Sequence, residues 1–204
     1  GDLPAHDLAC PLLSLPGVLG VTRETVPASV PYLRVPPDSQ ARWASRLARD
    51  GRPLVGLAWR GNPGYEDDRR RSMALARLAP LLARRDVRFV SLLHETHEHE
   101  RALHASIEPM GAGFGDLDDN AAAISQLDAV VSVDTASAHL AGALGVRTWV
   151  LLSNAPYWVW GVGGESSPWY PTARLFRQSS PGDWDGVASR VARALDELVA
   201  PSAG

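Results

Sequence analysis

Apolar positions along this chain fall into short unbroken runs, and most runs are followed by a stretch whose apolar residues recur every three to four positions. Unbroken runs suit strands buried on both faces, and the longer period suits helices laid over them. The pattern predicts a helix over Ser39–Ala48, strand Leu54–Trp59, helix Met73–Ala83, strand Val87–Leu93 and helix Glu98–Ser106. It continues with helix Asn120–Leu127, strand Ala129–Val133, helix Ala136–Leu144, strand Thr148–Leu152, a Trp-rich loop, strand Ala173–Phe176 and helix Trp184–Val199. Such alternation is the signature of an α/β fold: a Rossmann-like parallel sheet with helices on both faces. Ligands in these sheets bind outside the carboxyl ends of the strands, which places Arg60, His94, Asp134 and Ser153 on the binding edge. Before the polar break R-D-G-R-P, Gly1 to Pro37 is rich in proline and short apolar pieces, so the chain divides near Arg49–Pro53.

Leu127 to Gly145, L-D-A-V-V-S-V-D-T-A-S-A-H-L-A-G-A-L-G, carries the most chemistry. A β-branched strand gives way at once to a helix of small residues, with Asp134 or Thr135 in position to cap it. The backbone N–H groups of Thr135, Ala136 and Ser137, with the positive end of the helix dipole, favour phosphate. Thr135 and His139 are four apart and share a face. The same spacing is met by a plain strand-helix unit whose Asp only caps and whose His only packs.

The loop Arg60–Ser72, R-G-N-P-G-Y-E-D-D-R-R-R-S, has the densest positive charge in the chain. Arg69, Arg70 and Arg71 can converge on a phosphate through charge-assisted bonds, or pair with Glu66, Asp67 and Asp68 as a solvated loop. H-E-T-H-E-H-E at His94–Glu100 lacks the H-E-x-x-H spacing of a zinc helix, and no metal site is expected there. G-A-G-F-G-D at Gly111–Asp116 lacks dinucleotide-fingerprint spacing and reads as a loop; D-L-D at 116–118 and D-W-D at 183–185 read as turn or cap residues. Tyr157, Trp158 and Trp160, among the glycines of the loop Ser153–Ser167, suit either a sugar or acceptor contact or packing against a further domain.

Composition narrows the class. The 204 residues are 45% hydrophobic, enough for a core, and the formal net charge of -3 argues against nucleic acid. All basic residues besides histidine are arginine. Cys10 is the single cysteine, which fits a reducing, cytoplasmic setting without a disulfide. No run approaches the roughly 20 apolar residues of a membrane span, no signal peptide is visible, and the missing initiator Met suggests a piece of a longer protein.

The segment S-V-D-T-x-x-x-H-L-A-x-A-L-G resembles the donor-site signature of the heptosyltransferase-like glycosyltransferases of family 9, and most closely bacterial tetratricopeptide-repeat proteins that carry such a domain at their C-terminus. The resemblance extends through P-L-L-S-L-P at Pro11–Pro16, V-P-Y-L at Val30–Leu33, G-L-A-W-R-G-N-P at Gly56–Pro63, R-R-S at Arg70–Ser72, S-P-W-Y-P-T-A-R-L-F-R-Q at Ser167–Gln178 and G-D-W at Gly182–Trp184. It implies the C-terminal half of a GT-B fold, with residues 1–50 as the tail of the N-terminal half plus linker and 51–204 as the nucleotide-sugar domain. It implies a diphosphate held by Asp134, Thr135, Ala136, Ser137 and His139 with a basic residue at Arg71, where many relatives have Lys, and Arg69 and Arg70 close behind. A carboxylate for the ribose falls on Glu98, with Glu100 second, and Asp116 borders the base. No metal or other cofactor is implied. The partners implied are a nucleotide sugar, an acceptor glycan, lipid-linked saccharide or protein, and the N-terminal domain of the same protein, which would carry the general base. A non-catalytic nucleotide-binding or scaffold module and a GT-B nucleotide-sugar epimerase are the other readings.

Overall fold

The computed structural model describes residues 4–95, 97 and 100–199. Six strands, β1 Leu54–Ala58, β2 Arg88–Ser91, β3 Ile107–Pro109, β4 Ala129–Val133, β5 Thr148–Leu152 and β6 Ala173–Arg177, form one sheet in the order β3-β2-β1-β4-β5-β6. Every pairing is parallel, so every carboxyl end lies on one edge. β1 leads outward to β2 and β3, whereas β4 returns to its other side and leads to β5 and β6. The crevice of this fold therefore opens between the ends of β1 and β4.

Helices α1 Leu15–Val18, α2 Pro37–Arg46, α3 Asp68–Arg71, α4 Ala79–Leu82, α5 Arg101–His104, α6 Leu117–Ile124, α7 Ala136–Ala143, α8 Trp184–Ala194 and α9 Asp196–Val199 complete the described elements. β1, β4 and β5 are buried at every residue because both faces are covered. On one face Val55, Leu57, Val131 and Leu151 pack with Leu78 and Leu81 and with Trp184, Val187 and Val191 of α8. On the other, Leu54, Ala58 and Val130 meet Trp43 of α2 and Ala122, Ala123 and Ile124 of α6. Trp43 brings α2 into this body: its ring lies edge-on to Phe114 at 5.2 Å, and its Nε1 donates to Asp119 at 3.0 Å.

Besides the short helix α1 and shifts of a few residues at element ends, the structure departs from the sequence pattern in four places. Only Ala79–Leu82 of the expected helix Met73–Ala83 is α-helical, after a 3-10 turn at Leu75–Leu78, since Pro80 lacks an N–H and is accepted only in a helix's first turn. β3 has no counterpart among the expected elements, because Ile107 is its one buried residue. α3 also goes unsignalled by periodicity, with four charged residues in one turn. The helix expected over Trp184–Val199 is interrupted at Leu195.

α7 is the element on which the binding edge turns. It ends where Gly145 adopts φ +73 and Val146 N–H reaches back to Ala141 O at 3.0 Å, a left-handed terminus that favours glycine. Gly142, Ala138 and Ala141 keep it thin, and a Cβ on Gly142 would stand 2.5 Å from Cγ of the buried Tyr170. Alanine is the better helix former by about 1 kcal/mol, but overpacking a filled contact costs about 1–3 kcal/mol. Gly142→Ala should therefore lower the urea midpoint at unchanged slope, a net loss of about 1 kcal/mol; a neutral or stabilising result would show that Tyr170 does not seat against this helix.

Candidate functional site

The crevice is built from the loop after β1 and the turn after β4. Thr135 is the N-cap of α7, in extended conformation with φ -140 and ψ 170, but its side chain makes no bond to the helix. Its hydroxyl lies 2.9 Å from Ser132 Oγ, which itself donates to Val133 O at 2.7 Å. Asp134 does not cap either: its Oδ1 faces His139 Nε2 at 3.8 Å. The side-chain cap expected from one of these residues is thus absent, since each is engaged elsewhere. The first turn, with Ala136 and the nine-tenths buried Ser137, keeps its N–H groups for another acceptor.

Arg71 closes the other side. Its Nη1 donates to the Asp134 carbonyl at 2.8 Å, its Nε donates to Asp68 Oδ1 at 3.0 Å, and its guanidinium lies 4.6 Å from the centre of the Tyr65 ring. Asp68 is buried and also accepts from Ser72 Oγ at 2.9 Å, while Ser72 Oγ accepts from Gly61 N–H. Gly61 admits this crossing, for a Cβ there would stand 2.4 Å from Asp68 Oδ1 and 2.6 Å from Arg71 Nη2. Of the two expectations for the loop, the acidic pairing is seen for two of the three arginines. The acidic neighbours do pair with the arginines, Asp68 with Arg71 and Asp67 with Arg70 at 3.6 Å, yet Arg71 still reaches the start of α7. Arg70 is three-quarters exposed at the rim, and Arg69 is exposed on α3.

His139 is held by aromatic rings. It stacks on buried Trp160 with centroids 4.8 Å apart and an interplanar angle of 23°, and its Nδ1 lies 3.0 Å from Tyr170 Oη. Burial and a hydrogen bond with Tyr32 push the Tyr170 hydroxyl above its usual range, so it stays protonated. Burial alone would raise Asp134, but His139, the approach of the Trp160 indole and the charges of His139 and Arg71 together hold it below the usual carboxylate range. Trp160 Nε1 itself has no well-formed partner, so that approach is weaker than a formed bond.

The remaining expected residues lie toward β2 and β3. Glu98 falls outside the described residues. Glu100 is buried and accepts from Trp59 Nε1 at 2.9 Å, with Oε2 left without a partner. Asp116 is exposed and caps α6 by accepting from Asp119 N–H at 2.9 Å. Asp183 similarly caps α8 through Gly186 N–H. Among the described residues, no three His, Cys, Asp or Glu gather into a group that could hold a metal. Arg60, His94 and Ser153 follow β1, β2 and β5, as the topology requires.

Sequence reasoning missed Asp68 as the anchor of Arg71, Tyr65 beneath it, and Tyr170 beside His139. The first two lie in the loop already singled out, three and six residues before Arg71. Tyr170 is 31 residues from its partner and carries no local signal.

Asp134 supplies a pH test. Its carboxyl sits below the ordinary 3.8 in the folded protein, so its contribution is fully present above that value and lost as pH falls through the folded one. Asp134→Asn should lower stability at pH 7, and the gap to wild type should close on acidification below 3.8. Thermal melts across pH measure this; a gap constant with pH would rule out the charge as its source.

No family model matches the chain. It is 33% identical over 187 residues to protein FlbA of Caulobacter vibrioides, an alignment covering 88% of this chain and 31% of FlbA. Two solved structures share its fold. The ADP-heptose lipopolysaccharide heptosyltransferase II of E. coli superposes with a TM-score of 0.54 at 20% identity, over 85% of this chain and 55% of that one. A glycosyl transferase of family 9 from Veillonella parvula superposes with a TM-score of 0.60 at 15% identity, over 92% and 58%. The chain thus spans about a third of the curated relative and little more than half of each structure, and its six-stranded parallel sheet with flanking helices has the Rossmann-like fold seen in these glycosyltransferases.

Proposed function

We propose that this chain is the donor-binding part of a heptosyltransferase-like glycosyltransferase of family 9, the C-terminal half of a GT-B enzyme, and that it holds a nucleoside diphosphate sugar across the β1–β4 crevice. The observation that carries this reading is the bond from Arg71 to the Asp134 carbonyl, which brings the basic loop to the start of a helix that no side chain from its N-cap residue closes. A helix N-terminus and a guanidinium at one point favour a diphosphate, and favour it more as negative charge grows on the departing group. Asp68 and Asp134 fix Arg71 before any ligand arrives, so little ordering remains for binding to impose.

In this reading the helix and Arg71 supply the positive charge that a metal would otherwise bring. His139, stacked on Trp160 and facing Asp134, stands at the junction where diphosphate meets sugar. The general base and the acceptor site belong to the other half of the cleft, and the acceptor is a glycan, a lipid-linked saccharide or a protein. Supporting the reading are the shared fold with two glycosyltransferases, the length those proteins have beyond this chain, and the resemblance of the sequence motifs.

Calorimetric titration tests it. UDP or ADP should bind and the corresponding nucleoside should bind poorly, with EDTA making no difference. The double variant Asp134→Ala, Thr135→Ala should weaken the diphosphate. Arg71→Ala should cost about 1.5–3 kcal/mol, the range of a charged hydrogen bond, with Arg69→Ala and Arg70→Ala costing clearly less. Equal affinity for nucleoside and nucleoside diphosphate would remove the diphosphate site, and three small equal losses would indicate a diffuse electrostatic loop.

A further inference from the structure

α7 sets where the His139 ring stands, but the helix does not decide which of the ring's two nitrogens carries the hydrogen. In a neutral imidazole one nitrogen donates and the other accepts, and the surroundings choose between them. Nε2 faces Asp134 Oδ1 at 3.8 Å, beyond hydrogen-bond length but close enough for charge to act. Asp134 is held below the usual carboxylate range, so it is ionised at neutral pH and can only accept. A hydrogen on Nε2 suits that neighbour, whereas a lone pair there is repelled by it. The choice matters to the crevice, which Asp134 lines beside Arg71. With the hydrogen on Nε2, His139 turns a donor to the crevice side; the other tautomer turns a lone pair there, which repels an arriving anion.

The opposite nitrogen, Nδ1, lies 3.0 Å from Tyr170 Oη. With the hydrogen on Nε2, Nδ1 is the acceptor and the Tyr170 O–H donates to it. Tyr170 has little freedom to turn away. Its ring is 8% exposed, seated where Gly142 leaves room, edge-on to His139 at 5.8 Å and tilted against Trp160 at 6.0 Å. A second hydroxyl, that of Tyr32, meets the Tyr170 hydroxyl. Tyr32 belongs to the arm before α2, and that arm is strapped to the end of α7. Tyr32 N–H donates to Ala143 O at 3.1 Å, Leu33 N–H reaches the same oxygen at 3.4 Å, and Val30 packs on the cluster of Ala138, Ala143 and Tyr170. Tyr32 is itself 57% exposed, so its ring buries little, and the hydroxyl bond is what it contributes there.

Resting on the donor-site reading above for its use, we infer that Tyr170, backed by Tyr32 from the N-terminal arm, is a positioning residue that fixes His139 with Nε2–H toward Asp134 and the crevice. Two tyrosines from separate stretches of chain meet one histidine through their hydroxyls, where phenylalanines would fill the same space. Neither tyrosine lines the crevice, and both act through the ring they hold.

Nitrogen NMR of the ligand-free protein, labelled at histidine and held at about pH 8, where histidines are ordinarily neutral, reads the tautomer directly. The His139 signals are those missing from His139→Gln. Wild type should carry the hydrogen on Nε2, with Nδ1 displaced from the position of a free ring nitrogen toward that of a hydrogen-bonded acceptor. Tyr170→Phe, which keeps the packed ring, should return Nδ1 to the free position, and Tyr32→Phe, at an exposed site, should move it the same way by a smaller step. Calorimetry then reads the use of the arrangement: Tyr170→Phe should weaken UDP or ADP about fivefold and Tyr32→Phe about twofold, as for loss of one neutral hydrogen bond and of its support. A hydrogen on Nδ1 in wild type, or an Nδ1 signal unmoved by Tyr170→Phe, overturns the positioning role and leaves the diphosphate site standing. An Nδ1 signal unmoved by Tyr32→Phe overturns the part given to the arm. If the signals move as expected while neither variant alters diphosphate affinity, the role of this tautomer in donor binding is overturned. Failure of wild type to bind any nucleoside diphosphate overturns the donor-site reading, and the spectra then decide the positioning of His139 by themselves.

Discussion

The binding edge depends on one contact, the Arg71 guanidinium on the carbonyl of Asp134. A parallel sheet whose strand order reverses between β1 and β4 leaves a gap there by topology alone, and something must span it. Arg71 does so from the loop after β1, drawn down by buried Asp68 and let through by Gly61. The geometry accounts for the run of three arginines beside three acidic residues. The Arg71–Asp68 pair is largely buried and directed, while the Arg70–Asp67 pair sits at the exposed rim, where an ion pair contributes little.

On the far side of α7, Asp134, His139, Trp160, Tyr170 and Tyr32 form a second connected group. The thinness of α7 makes it possible, because Gly142 lets the Tyr170 ring lie against the helix and so meet His139. Asp134 belongs to both groups, its carbonyl to Arg71 and its carboxylate to His139. A single residue at the end of β4 thereby couples the basic loop to the aromatic shell, and both to the first turn of α7.

Much of this was legible in the sequence. The unbroken apolar runs of β1, β4 and β5 matched the strands closely, because strands covered on both faces need no alternation to be recognised. The arginine loop could be singled out by position, since the loop after the first strand must border the crevice, and the family resemblance pointed to Arg71 within it. What escaped detection depends on tertiary contact. β3 holds one buried side chain, Tyr170 meets His139 across 31 residues, and Asp68 looked like a competitor for Arg71 until burial made it the anchor. The expected cap failed for a related reason: Ser132 on β4 and His139 within α7 took the side chains that local chemistry assigned to it.

The central claim is that a diphosphate occupies the point where Arg71 meets the first turn of α7. A crystal structure of the protein with ADP or UDP bound tests it most directly. The account predicts phosphate oxygens within about 2.7–3.2 Å of the backbone nitrogens of Ala136 and Ser137, with the Arg71 guanidinium on the same group and still bonded to Asp68. A nucleotide whose phosphates lie away from this turn, or an Arg71 swung out to solvent in the complex, would contradict it.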